Sequence, residues 1–268
     1  PLVQSVPFEG RAQLDSATLS FNGQASAQMA KVTARLADAP LRLAAPYIAG
    51  VMGPNLNGLL SFEMGVDWQA STSEQGPAHV VLQLPSLLLD KLDLTQGATK
   101  PGGQGGESLA SVKQVQLTQV LVDVTRQTAT LGQVRVTQPK TNLARLSDGR
   151  WMFQDWLKPD AENPAPKSNL HGAAHAPAAK PWQVAIHDLS VEGGAFGFAD
   201  ASTPVPVAFE VSGVSLQARN LATVGSKPVS WRLAAKLRHG QTEAGSLAGA
   251  GTAVLGPLAL QADLTVQR

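Results

Sequence analysis

Residues 182–220 read WQVAIHDLSVEGGAFGFADASTPVPVAFEVSGVSLQARN, and the fold turns on how they are read. Trp182, Val184 and Ile186 alternate with Gln183, Ala185 and His187. Glu192-Gly193-Gly194 punctuates the run, Phe196 and Phe198 share a side up to Asp200, and Val207, Phe209 and Val211 open another run. A period of two over short runs, broken by Gly and Pro, predicts three antiparallel strands with one apolar and one polar face. No nucleophile, metal-ligand cluster or phosphate loop accompanies them. Function has to be sought in a surface.

The pattern extends in both directions. Leu19 and Phe21 share a side, Asn22-Gly23 has the chemistry of a hairpin turn, and Ala30, Val32, Ala34 and Leu36 alternate beyond it. Leu41, Ala44, Ala45, Ile48, Val51 and Met52 are spaced for one short amphipathic helix near 41–52, weakened by Pro46 and stopped by Gly53-Pro54. The clearest strand follows, with Leu60, Phe62, Met64, Val66 and Trp68 alternating with Ser61, Glu63, Gly65, Asp67 and Gln69. Val80, Leu82 and Leu84 form another, Pro85 predicts a break or an edge position, and Leu88, Asp90, Leu92 and Leu94 form the next. Val115 and Leu117, then Val120, Val122 and Val124, then Val134 and Val136 read as further strands, and Ser147-Asp148-Gly149-Arg150 as a turn. Downstream, Val229, Trp231, Leu233, Ala235 and Leu237 alternate, as do Leu258, Leu260, Ala262, Leu264 and Val266.

The expected fold is mainly β: about a dozen antiparallel strands and one short helix. VKQVQLTQVLVDV and WQVAIHDLSVEGGAFGF echo each other as a repeated hairpin unit. Two loops, Gly-rich at 97–108 and Pro/Ala-rich at 158–181, divide the chain into β segments 1–96, 109–157 and 182–268 of one continuous unit. The chain begins Pro1-Leu2-Val3 and finishes on Arg268 directly after an alternating strand, so it reads as a piece of something longer, with any anchor outside it.

Composition narrows the function. A net charge of +1 gives no field to attract nucleic acid. Without cysteine there is no disulfide scaffold and no thiolate metal site. Charged residues are 15% of the chain where about 25% is usual, so the polar faces are thinly charged. His171 and His175 have the spacing of a metal pair on a helix but sit in a Gly/Ala/Pro loop with no third ligand. His79, His187 and His239 stand alone as strand residues. Asp148 and Asp200 read as turn residues, because an Asp side chain bonds its own backbone. The glycines of 97–108 lack the Lys-Ser/Thr ending of a phosphate loop, and no serine sits in a Gly-x-Ser-x-Gly elbow. The expectation is a protein that is not an enzyme and needs no cofactor or metal.

Two architectures fit the apolar stripes. They face each other in a β-sandwich, or they line an open sheet that holds something apolar. One helix cannot cover so many strands, which favours an incompletely covered face and an apolar ligand. The expected lining is Leu60, Phe62, Met64, Val66 and Trp68, followed by Trp182, Val184, Ile186, Phe209, Trp231 and Leu260.

Three segments together resemble the AsmA-like family of Gram-negative envelope proteins (AsmA/TamB-related). The first, PLRLAAPYIAGVMGPNLNGLLSFEMGVDW, matches a helix around Pro46-Tyr47 followed by Leu56 and Gly58 at the start of a long strand. The second, VTQPKTNLARLSDGRWMFQDWL, matches at Pro139, Leu143, Arg145, Asp148, Gly149 and Trp151. The third, IHDLSVEGGAFGFADASTPVPVAFEVSGVSLQARNL, matches at Gly193 or Gly194, Phe198, Asp200, Asn220 and Leu221. The resemblance spans most of 41–221 and lies in the order of degenerate motifs. It implies a highly twisted, open β-groove whose hydrophobic inside shields acyl chains. It further implies a periplasmic protein, anchored in the inner membrane by parts outside this segment, that moves phospholipid between inner and outer membranes and serves outer-membrane homeostasis. The rival expectation is a β-scaffold that binds an envelope protein at its sheet edge and assists outer-membrane protein assembly.

Overall fold

The computed structural model describes residues 4–71, 78–96, 106–156, 181–203, 207–225, 227–239, 242–255 and 258–267. All but the last residue of the loop expected at 158–181, with His171 and His175, lies outside them, as does most of the loop at 97–108. Twelve strands make one sheet in chain order. They are β1 (Val6–Leu14), β2 (Ala17–Ala25), β3 (Met29–Pro40), β4 (Asn55–Gln69), β5 (His79–Thr95), β6 (Ser108–Asp123), β7 (Thr128–Arg145), β8 (Gln183–Asp200), β9 (Val207–Ala222), β10 (Val229–His239), β11 (Thr242–Leu255) and β12 (Leu258–Gln267). The sheet is open and twisted and does not close into a barrel. Each strand is antiparallel to its neighbour, except that β8 runs parallel to β7. The sequence reading missed that junction, because alternation carries no information about strand direction.

The register resolves the two faces. Ala30, Val32, Ala34 and Leu36 of β3 stand opposite Trp68, Val66, Met64 and Phe62 of β4. Those of β4 face Val80, Leu82, Leu87 and Leu89 of β5 in turn, at Trp68, Val66, Phe62 and Leu60. The series continues through Val115 and Leu117, Val134 and Val136, Leu189 and Val191, and Leu216 to Leu233. Apolar side chains thus share one side of the sheet. The other side carries charged and amide groups, with Lys31–Asp67, Arg35–Glu63, Arg135–Glu192 and Arg219–Asp188 paired across neighbouring strands. Among the described residues all seven buried hydrophobic ones (Ala17, Ala39, Val211, Val214, Ala218, Val229 and Ala235) fall on the apolar side, so the sheet curls toward it.

Several expected breaks are interruptions inside longer strands. Glu192-Gly193-Gly194 does not turn the chain, so 182–220 holds two strands, β8 and β9, where three were expected. Pro85 lies within β5, between two neighbours, and the runs 115–117 and 120–122 belong to one strand, β6. The supposed hairpin repeats are single interrupted strands of the same type. Asn22-Gly23 sits inside β2 opposite Glu9 and Phe8, and the turn that joins β2 to β3 falls at Ser26-Ala27-Gln28 instead.

The interruptions have one physical form. On the apolar side β5 steps from Leu84 to Leu87 and from Leu89 to Leu92, three residues where two are regular. Strands β6, β7, β8 and β9 each take two such steps, while β4 and β10 on either side take none. Each step is a β-bulge that leaves one extra residue and increases the local twist. The extra residues align from strand to strand. Lys91, Gln138, Gly193 and Gly213 have φ of 52°, 49°, 67° and 58° along one line, and Gln119 and Asn220 have 55° and 61° along another. At each line the alternation changes parity, and after two lines it is restored. Leu88 therefore falls on the polar side with Asp90, apart from Leu92 and Leu94.

The helix over 41–52 is shorter than expected. A 3-10 turn at Leu41–Ala44 passes into α1 (Ala45–Ile48), where Pro46 lies in the first turn and no N–H is lost.

Candidate functional site

The site is the apolar side of the sheet. Every expected lining residue falls on it. Leu60, Phe62, Met64, Val66 and Trp68 project there from β4. Val184 and Ile186 of β8 stand beside Ala129 and Leu131 of β7. Trp182 lies one residue ahead of β8, continues its parity and is exposed. Phe209 packs on Phe198 with ring centroids 4.9 Å apart. Trp231 sits between Ala218 and Gly251, and Leu260 stands on the edge strand β12.

The sequence reading did not choose the densest part of this surface. Leu82, Leu87 and Leu89 of β5, Val115, Leu117, Val120 and Val122 of β6, and Leu131, Val134 and Val136 of β7 form a continuous Leu/Val field. Its signal is the three-residue step, which a strict period of two reads as a strand end. None of these side chains is fully covered, and among the described residues no second sheet packs on them.

One end of the apolar side is covered. Leu41 reaches Gly58 and Leu92 from the 3-10 turn, where the φ of Gly58 is 141° and a Cβ would stand 3.0 Å from the Asp90 carbonyl oxygen. Beside it a second 3-10 turn, Met152–Asp155, brings Trp151 against Phe198, with ring centroids 6.0 Å apart. The Gly53 N–H donates to the Trp156 carbonyl at 2.9 Å and ties the two turns together. Residues of the second and third resemblance segments meet here. Arg145 pairs with Asp200 at 3.6 Å, and its Nε donates to the Gly149 carbonyl. The hydroxyl and N–H of Ser202 donate to Asp200 and, with Arg145, hold its carboxyl below the usual carboxylate range. The side chain and N–H of Arg150 do the same for Asp148. Both aspartates shape turns, as the sequence reading expected.

No family model, curated protein or solved structure matches the chain.

The polar side offers a depression of about 830 Å³ between β1 and β5, lined by Glu9, Asn22, Lys31, Thr33, Asp67 and Gln83. Lys31 and Asp67 neutralise each other there, and no base stands beside a nucleophile. The buried carboxylate of Asp123 lies at the β6–β7 turn. It accepts from the Arg126 N–H at 2.8 Å and hydrogen-bonds His79 Nε2 at 3.1 Å, which together outweigh burial and lower its pKa. Its bonds close the turn. His187 is exposed beside the Gln119–Asn220 line of bulges. No group of three or more His, Cys, Asp or Glu among the described residues could hold a metal.

Proposed function

We propose that this chain is a segment of a lipid-conducting trough, in which the apolar side of the sheet shields phospholipid acyl chains and the head groups stay in water along the open side. The observation that carries the reading is the Leu/Val field running unbroken across neighbouring strands, on which no second sheet packs among the described residues. Burying an acyl chain is worth about 0.8 kcal/mol per CH₂, so such a field holds lipid without a specific pocket. Shallow, repetitive contacts give low selectivity and easy sliding along the strands. The resemblance to AsmA-like proteins supports a periplasmic setting for this proposal, in a protein anchored in the inner membrane that carries phospholipid between the two membranes.

The test is native and lipid mass spectrometry of the purified chain. Co-purifying phospholipid is expected, with occupancy reduced in Phe62→Asp and unchanged in Thr33→Asp, which puts the same charge on the polar side. A folded chain that never carries lipid would overturn the reading. One observation favours a second reading. Among the described residues β12 is paired on one side only, with Leu260, Leu264 and Val266 about two-thirds exposed and no Lys, Arg or Pro within it. Such an edge recruits a client strand by β-augmentation, the chemistry of an assembly scaffold. A lipid-free chain that captures a β-strand peptide would support it.

A further inference from the structure

We infer that the stretch linking β3 to β4 is a membrane-contacting tip that seats the covered end of the sheet in the interface of a phospholipid bilayer. Its inner side is accounted for by Leu41, which packs toward Gly58 and Leu92. Its outer side is exposed among the described residues. Leu43 in the 3-10 turn, Tyr47 in α1 and Val51 in the turn that follows recur every four residues along this stretch. They are 44%, 84% and 55% exposed, and Phe153 of the adjoining turn is 41% exposed. Apolar groups on both sides of one surface turn are unusual in a protein that meets only water.

Charge points to lipid as the occupant. Between Asp38 and Glu63 the chain holds no carboxylate, and its one ionised side chain, Arg42, is balanced by Asp15. The stretch therefore enters an anionic interface with neither repulsion nor an unmatched ion to desolvate. Tyr47, the most exposed of the four and the only tyrosine in the chain, has the amphipathic ring that prefers the head-group level. A protein partner is a poorer fit, because four side chains fall well short of the ~800 Å² that each side buries in a stable interface. A bilayer needs no shape complementarity. The contact stands whether or not the trough carries acyl chains; if it does, the tip brings that end of the trough to the membrane.

The absence of cysteine makes the test direct. Tyr47→Cys, labelled with an environment-sensitive fluorophore, is mixed with large vesicles of equal parts phosphatidylcholine and phosphatidylglycerol. A blue-shifted, stronger emission is expected, with no change for a label at Ser215→Cys on the polar side. The triple variant Leu43→Ser/Tyr47→Ser/Val51→Ser should lower vesicle flotation by about tenfold. These are surface positions, and an unchanged circular dichroism spectrum shows that the variant folds. Co-purified lipid is measured in parallel. Loss of flotation with lipid retained supports the tip, and flotation by a lipid-free chain supports the tip while removing the trough. A silent label on vesicles, flotation unchanged in the triple variant, or a spectral shift that needs only a second copy of the chain would each overturn the proposal.

Discussion

Strands β4 and β5 lie side by side and present equivalent rows of half-buried apolar side chains, yet they are built differently. From Leu60 to Trp68, β4 keeps a strict alternation, and it was legible at once. Strand β5 covers the same length with two extra residues, a proline in its middle and Lys91 at a φ of 52°. The difference recurs across the sheet, where five interrupted strands lie between straighter ones. A straight strand needs only alternation. A strand that must bend with its neighbours also needs an extra residue at a fixed position, with a backbone conformation that costs about 1–2 kcal/mol for an L residue. The aligned bulges are thus a curvature device shared by β5–β9.

The largest expected effect comes from a β-branched residue placed in each type of strand. Gly193→Val, at a φ of 67° in β8, should lose about 2 kcal/mol in urea unfolding. Gly65→Val in β4, with ordinary φ and no atom nearer than 3.9 Å, should lose nothing and gain up to ~0.5 kcal/mol. Equal losses at the two sites would break the comparison. The reverse exchange is subtler. Gln138→Gly should stabilise by about 0.5–1 kcal/mol, because glycine adopts a φ of 49° freely, while Thr33→Gly in the straight part of β3 should cost about 1 kcal/mol.

Acid sharpens the contrast between turn and strand. Asp123 and Asp200 have lowered pKa values in the folded chain, from the Arg126 N–H and the Ser202 hydroxyl first of all. The stability they contribute is present above the ordinary carboxylate pKa of about 4 and is lost as pH falls through their lowered folded values. A melting-temperature profile should therefore drop at acid pH, and less steeply in Asp123→Asn. The smallest effect belongs to the polar side. Arg35→Ala removes an exposed pair with Glu63 at 3.7 Å and should change stability by less than about 0.5 kcal/mol.

Strand content and the apolar side of the sheet were legible because alternation is a local property of the chain. The strand ends were not. Pro85, Gln119 and Gly193 look like terminators in a one-dimensional reading, and only pairing with both neighbours shows them to be interruptions. The Leu/Val field of β5–β7 was passed over for the same reason, since its parity changes where Gln119 and Gln138 stand. The meeting of Arg145 with Asp200 and of Trp151 with Phe198 joins residues far apart in the chain and has no local signal.

The single parallel junction has a kinetic consequence. Every other neighbouring pair is joined at the end where both strands meet, so it can zip outward from its own connection. Strands β7 and β8 touch only after residues 146–182 have been drawn back along the whole length of a strand. That closure is entropically costly before any contact offsets it, and non-local pairings of this kind are slow. The chain is therefore expected to fold as two cooperative units, β1–β7 and β8–β12, whose joining is the late step. Native-state hydrogen exchange should find their strand interiors opening as separate blocks, with the seam between them the first part of the sheet to part.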